Sequence, residues 1–347
     1  MRDRDFLSTR EGFLFCVVGP YHPTDRVISY VKYLPDPKGK WRRGKDGFRR
    51  VLSTYTIPSL LETFSVLEKE YPQYLFFSPV YKITMTAVPK SNIVTHFKPE
   101  MRLAGLLKQG RLDSLQQKVL RLVSSLSEAS GVREDCFGVT GSILLDIHSL
   151  SFSDMDIIVY GFKNSHLVKD ALESRLVESL GFRCVRGERL RKWYATKTEN
   201  HPLSLLDARL IFRRKWNTGT FEDTLFSVHP VRLETELTEK YGDKTYHPSG
   251  LVTLRAIVSD SRDSIFLPAV YRVEEVEVVG GEEVDVEEVV SYEGLYDSLA
   301  EKGEAIEARG KLEHVVDRRT GEEYDRVLVG STEGMGREYI KPLQAQS

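Results

Sequence analysis

Apolar and polar positions change period several times along the chain, and each change marks an element. Residues 12–18 (Gly-Phe-Leu-Phe-Cys-Val-Val) and 26–33 (Arg-Val-Ile-Ser-Tyr-Val-Lys-Tyr) are rich in β-branched and aromatic side chains, as strands are. Gly19-Pro20 and His22-Pro23 interrupt them, so the pattern predicts a strand pair, followed by a loop over residues 36–47. Over residues 58–71, Leu60, Leu61, Phe64 and Leu67 share one helical face, and Pro58 suits a first helical turn. Pro79, Pro89 and Pro99 divide the chain beyond this helix into short extended pieces. From Asp113 a helical period takes over. Leu115, Val119, Leu122, Val123 and Leu126 recur at three and four, with Asp113 or Ser114 as N-cap and Gly131 as stop.

A short apolar run from Phe137 ends in Gly141-Ser142, and Asp154-Met155-Asp156 later opens the apolar stretch Ile157 to Tyr160. Residues 165–180 predict a helix closed by Gly181, residues 182–185 a strand, and residues 203–212 a further strong strand. These elements make an α/β unit with a mixed sheet. Residues 221–241 are polar and read as partly helical. Beyond them, residues 250–267, 270–279, 284–286, 305–316 and 324–330 read as strands, with turns at Gly280-Gly281 and Thr320-Gly321. Short, evenly punctuated strands predict a small β-barrel similar to an oligonucleotide-binding (OB-like) barrel. The expected fold class is therefore α/β (α+β) and multidomain: an N-terminal α+β domain over 1–105, a mixed-sheet core over 106–240, and a β-rich domain over 241–347.

Composition narrows the class. With 347 residues, 41% of them hydrophobic and 29% charged, the chain can bury a sizeable core and is too long for one average domain. The formal charge of -2 hides an asymmetry, +9 over residues 1–240 and -11 over 241–347. A basic body suits polyanions such as nucleotides or RNA, and an acidic tail does not. Cys16, Cys136 and Cys184 are odd in number and widely spaced, so neither a disulfide framework nor a zinc motif is expected. The apolar run near Phe13 is too short for a membrane span, and a cytoplasmic location with no membrane partner is the expectation. High charge with few cysteines also suits a thermophile.

The candidate chemistry lies between Phe137 and Gly161. Asp154 and Asp156 are two apart in a strand, so their carboxylates share a face, and hard oxygen ligands of that kind suit Mg²⁺. Gly141 permits close backbone approach, and Ser142, opening a short helix, offers a hydroxyl and backbone N–H groups to a phosphate tail. Transfer of a nucleotidyl group calls for two divalent ions and a third carboxylate. Asp207, a single acid in an apolar segment expected to be a strand near that of Asp154, is the candidate, because a buried acid is costly without a partner.

Gly-Ser, a gap of about ten residues, Asp-x-Asp in a hydrophobic strand and a later lone Asp resemble the polymerase-β-type nucleotidyltransferase superfamily over residues 112–215. The whole layout also looks like archaeal proteins described as predicted nucleotidyltransferases. The resemblance implies a nucleotidyltransferase mixed-sheet core in which Gly141 and Ser142 bind the phosphates of an NTP. It implies that Asp154 and Asp156 ligate two Mg²⁺ ions, and that Asp207 ligates one and helps activate the acceptor. The implied reaction moves an NMP to a hydroxyl of an RNA or tRNA end, a protein or a small molecule, with pyrophosphate leaving. The rival reading is a non-catalytic nucleic-acid- or protein-binding module that keeps the fold. Outside this stretch, Trp41 among Lys38, Lys40, Arg42, Arg43 and Lys45 has the make-up of a nucleic-acid contact or of an ordinary solvated loop.

Overall fold

A computed structural model describes residues 1–52, 57–281 and 283–343, which form a mixed α+β protein with three sheets and seven α-helices among them. The chain divides into two compact units, each assembled from three segments: residues 1–51, 86–185 and 216–238 in one, and the remainder in the other. The sheets follow the sequence blocks, one in each. The units do not, because most of the first sheet shares a unit with the whole of the second.

The first sheet contains β1 (Phe6–Thr9), β2 (Leu14–Val17), β3 (Arg26–Pro35), β4 (Trp41–Arg43) and β5 (Asp46–Arg50), followed along the chain by β6 (Leu75–Ser78), β7 (Ile83–Pro89) and β8 (Ile93–Phe97); β6 and the start of β7 belong to the second unit and the rest to the first. The strand order is β4-β5-β3-β2-β1-β8, with β7 on β3 and β6 on β7. The expected strand pair is β2 and β3. The expected loop over 36–47 is instead largely a hairpin, Trp41 pairing with Phe48 and Arg43 with Asp46. A Cβ at Gly39 would lie 2.1 Å from the Phe48 carbonyl oxygen, so the base of this hairpin closes only because that residue is glycine.

The second sheet contains β9 (Phe137–Val139), β10 (Met155–Tyr160), β11 (Phe182–Arg183), β12 (Thr218–Phe221) and β13 (Thr224–Val231), in the order β11-β12-β13-β10-β9. It is mixed, since β10 and β13 are parallel and the other pairs antiparallel. The helix Ser114–Ser130 buries Leu115, Val119, Leu122, Val123 and Leu126, is capped by the Asp113 side chain and stops at Gly131 in the left-handed conformation, as its pattern predicts. The expected helix over 165–180 is a helix over Phe162–Glu173 and then a 3-10 segment, Arg175–Leu180. Phe6, Leu14, Cys16, Tyr33 and Phe48 of the first sheet share one apolar cluster with Leu144, Leu145 and Ile147. That cluster fixes the segment after Gly141-Ser142.

In the second unit, β14 (Lys244–Asp260), β15 (Ala269–Gly280), β16 (Val286–Ser291), β17 (Ala305–Asp317) and β18 (Glu323–Val329) pair in the order β14-β15-β16-β18-β17, and β17 returns to β14. The ring is closed, with β16 and β18 its one parallel pair. β19 (Tyr339–Pro342) adds to β17. This is the expected barrel. Of its β15–β16 connection, Glu282 lies outside the described residues. Leu203 and Ile211 belong to the barrel's apolar core and Trp193 packs against it, on and beside the helices Gly187–Asn200 and Leu205–Arg213.

One expectation fails here and a second holds only for the 3-10 segment Glu234–Glu236. Residues 203–212 are not a strand but contain the helix Leu205–Arg213, started by a Ser204 cap and burying Ala208 and Ile211 at a step of three. Residues 221–241, expected to be partly helical, contain β13, the central partner of the Asp154 strand. Among the described residues no helix is long and apolar enough to cross a membrane.

Candidate functional site

β9 and β10 are antiparallel, with Val139 opposite Ile157, and the chain leaving β9 stays beside Asp156: Thr140 N–H donates to the Asp156 carbonyl at 2.9 Å. Gly141 follows with φ +68, and a Cβ there would lie 2.4 Å from Asp156 Oδ2. Glycine is thus required twice, by backbone conformation and by the carboxylate against it. Ser142 is buried in a single helical turn, Gly141–Leu144. Its Oγ donates to Ser153 Oγ at 3.2 Å, and Ser153 Oγ also accepts the Ser149 N–H at 2.9 Å. The Gly-Ser turn and the residue before Asp154 are joined directly.

Asp154 is exposed ahead of β10, Asp156 is half-buried within it, and Met155 between them points into the core. β13 lies alongside with Ser227 in register with Asp156. Ser227 Oγ donates to Asp156 Oδ1 at 2.5 Å, and His229 Nε2 lies 2.9 Å from Ser227 Oγ and 3.7 Å from Asp156 Oδ1. The charge of Asp156, then burial, raises the Asp154 carboxyl to about 6, against Lys32 and Arg50. For Asp156, burial pushes upward, but His229, Lys32 and the Ser227 hydroxyl hold it well below the usual carboxylate range. Burial and the Arg4 charge push His229 downward against the pull of Asp156. The pair therefore has distinct members: Asp156 is a firmly ionised acid gripped by β13, and Asp154 is an acid in its field.

Gly141, Ser142, Asp154 and Asp156 come together as expected. Asp207 does not join them on a strand. It belongs to the second unit, in the first turn of the helix Leu205–Arg213. Its carboxylate accepts the Ser204 N–H at 2.8 Å and the Ser204 hydroxyl at 2.7 Å, and Lys341 Nζ is 3.3 Å away. These partners hold it below its ordinary value against a desolvation that would raise it. The cost of a half-buried acid is offset by its capping bonds and a lysine. Sequence reasoning missed Ser227, His229 and Lys32. The signal for the first two was the alternation from Phe226 to Val231, which Pro230 obscured.

An uncharacterized protein of Methanocaldococcus jannaschii is 30% identical to this chain over 344 residues, 98% of each. The chain belongs to that protein's family. No family model matches it, and no solved structure matches it. Because the match runs nearly end to end, both compact units are family property.

A cation fits the site in part. Mg²⁺ is commonly held by one or two carboxylates together with substrate phosphates and water, and Asp154 with Asp156 is such a donor pair. A two-ion site wants a further acid. Among the described residues no group of three His, Cys, Asp or Glu side chains could hold a metal, and β13 presents a hydroxyl and an imidazole beside Asp156. The residues fit one ion better than two.

Proposed function

We propose that the chain is a Mg²⁺-dependent nucleotidyltransferase that moves an NMP from an NTP to a hydroxyl acceptor. A new phosphorus–oxygen bond to the acceptor forms and the bond to the leaving pyrophosphate breaks. The observation that carries this reading is the Asp154–Asp156 pair, two carboxylates close enough that one raises the other to about 6. It sits against a glycine that admits no side chain. Like charges held together in this way are costly in a purely structural role and useful to a cation. A bound Mg²⁺ would neutralise the triphosphate and polarise its phosphorus, and Asp154 and Asp156 would hold it. Ser227 and His229 act as positioning residues by fixing one Asp156 oxygen. Lys32 and Arg50 add positive potential at the edge where a phosphate tail would lie.

Mg²⁺-dependent NTP binding and transfer of label from the α-phosphate test the proposal in the parent, Asp154→Ala and Asp156→Ala. Each substitution is expected to cost about a hundredfold or more in transfer. Equal binding and turnover in all three would overturn it. Because no third acid joins the pair among the described residues, a second reading is favoured by a specific observation: a non-catalytic module that binds nucleotide without turning it over. Mg²⁺-dependent NTP binding with no transfer to any acceptor would establish that reading.

A further inference from the structure

The β4–β5 hairpin is the most concentrated charge on the first unit. Lys38, Lys40, Arg42, Arg43, Lys45 and Arg49 are all exposed, and none makes an ion pair among the described residues. Arg42 donates only to the backbone carbonyls of Pro37 and Lys45, at 3.1 and 3.3 Å. The acids of the hairpin do not neutralise it: Asp36 Oδ1 accepts the Lys38 N–H, and Asp46 sits across from Arg43 without pairing with it. Six uncompensated cations on one short hairpin repel one another, and a solvated surface has no need to concentrate them.

The hairpin is also joined to the acidic pair. Trp41 meets Tyr33 and Phe152 edge-on, each with ring centroids 5.5 Å apart. It packs on the cluster that contains Leu144, Leu145 and Ile147. Phe152, two residues before Asp154, is 50% exposed. Arg50, the last residue of β5, is close enough for its charge to act on the Asp154 carboxyl. The hairpin therefore brings exposed cations, a half-buried indole and an open phenyl ring into one region, with Arg50 at its end beside the Asp154 carboxyl.

We propose that this hairpin binds a single-stranded polynucleotide, whose end is the hydroxyl acceptor presented to Asp154 and Asp156. The second half of the statement rests on the nucleotidyl-transfer reading, and the first half does not. Cations spaced along a strand track a phosphate backbone, and an exposed aromatic ring gives an unpaired base a face to stack on. A duplex would use the cations and leave Phe152 without a role.

The test is fluorescence anisotropy of the full chain with labelled single-stranded RNA, single-stranded DNA and duplex DNA of equal length, across a salt series, beside sedimentation with anionic vesicles. The parent is expected to bind single strands over duplex, with affinity falling with salt at a slope of roughly -3 for about four neutralised phosphates. The quadruple variant Lys40→Glu/Arg42→Glu/Arg43→Glu/Lys45→Glu changes exposed side chains. It should keep the parent's melting temperature and NTP binding, lose strand binding at least tenfold and flatten the slope. Phe152→Ala should weaken strand binding several-fold and leave the slope unchanged. Asp154→Ala/Asp156→Ala should bind the strand as the parent does, so failure of the transfer reading is read separately. The comparison of RNA with DNA settles which sugar is accepted. Equal strand binding by the parent and the quadruple variant, or binding of vesicles with no binding of single strands, overturns the proposal.

Discussion

Glu313 in the barrel lies 2.9 Å from Lys311 Nζ and accepts two hydrogen bonds from Arg326, at 2.9 and 2.8 Å, with its side chain 2% exposed. Arg326 in turn lies over the Tyr246 ring, 3.8 Å from its centroid. Asp154, in the other unit, is exposed and meets chiefly another acid. One acid is buried with every charge answered, and the other sits open beside a like charge that Lys32 and Arg50 offset only in part. A buried ion network of the first kind can hold a fold in register, whereas an acid pair of the second kind costs the fold stability unless a cation offsets it. Asp156 is intermediate, anchored by Ser227 and His229 on one oxygen while the other faces Gly141.

That contrast predicts opposite responses to loss of charge. Glu313→Ala strands Arg326 as a buried cation, leaves Lys311 only the Glu333 carboxylate at 3.4 Å, and should cost about 3 kcal/mol, seen as a lowered urea midpoint for the barrel's amide-exchange protection. Asp154→Asn should leave the midpoint of the first unit unchanged or slightly raised when no cation is added. If Asp154→Asn destabilises as Glu313→Ala does, the open pair is structural and the comparison breaks.

Gly141→Ala should be next in size. The new Cβ meets Asp156 Oδ2 at 2.4 Å in a left-handed backbone, and strain of that kind costs about 1 to 3 kcal/mol. Pushing the carboxylate away should also weaken Mg²⁺-dependent NTP binding by more than the stability loss explains. Isothermal titration beside thermal unfolding separates the two effects.

The second unit has an acid of its own under like-charge pressure, with His201 Nδ1 3.4 Å away, and it sharpens the comparison. Burial, and then the charge of Glu338, raises Glu293 to about 7, with Lys197 opposing. A folded-state value above the ordinary 4.5 means that the stability from protonated Glu293 is complete below pH 4.5 and is lost as pH rises through 7. Glu293→Gln should therefore be more stable than the parent by about 2 kcal/mol near pH 8.5 and equal to it near pH 4. Equal melting temperatures at both pH values would show that this carboxyl is hydrated in solution.

The parts of this molecule that could be read from sequence are those fixed by neighbours along the chain. Asp113 and Gly131 bound a helix by local capping, and the β17–β18 hairpin announces itself through Thr320-Gly321, whereas Gly280-Gly281 closes no tight hairpin, because β15 and β16 pair only as far as Arg272 and Glu288. The Gly-Ser turn and the Asp-x-Asp strand were likewise legible, because both lie within twenty residues. Pairing between distant segments was not. β13 becomes the partner of β10 only through a parallel register set by the fold, and its alternating Ser227 and His229 look merely polar in isolation. The return of β17 to β14, which closes the barrel, leaves no local trace. Residues 203–212 misled because Leu-Ser-Leu-Leu satisfies two periods, and the decisive signal was instead the Ser204-x-x-Asp207 capping pair.

Asp207 therefore gives the smallest and most pointed test. Asp207→Ala removes the acceptor for the Ser204 N–H and hydroxyl and a partner of Lys341, and a lost cap costs about 1 kcal/mol. Because its folded-state value is depressed, that contribution is present above pH 4 and fades as pH falls through the folded value, so the deficit should shrink in acid. Mg²⁺-dependent NTP binding and label transfer should equal the parent's once both proteins are compared at a temperature where each is folded. A cap acts on the helix it starts, whereas an acid that helps in chemistry acts on rate with stability unchanged. Loss of transfer in Asp207→Ala at full stability would return this residue to the site and restore a three-acid chemistry. The expected small loss of stability at full activity leaves the chemistry to Asp154 and Asp156.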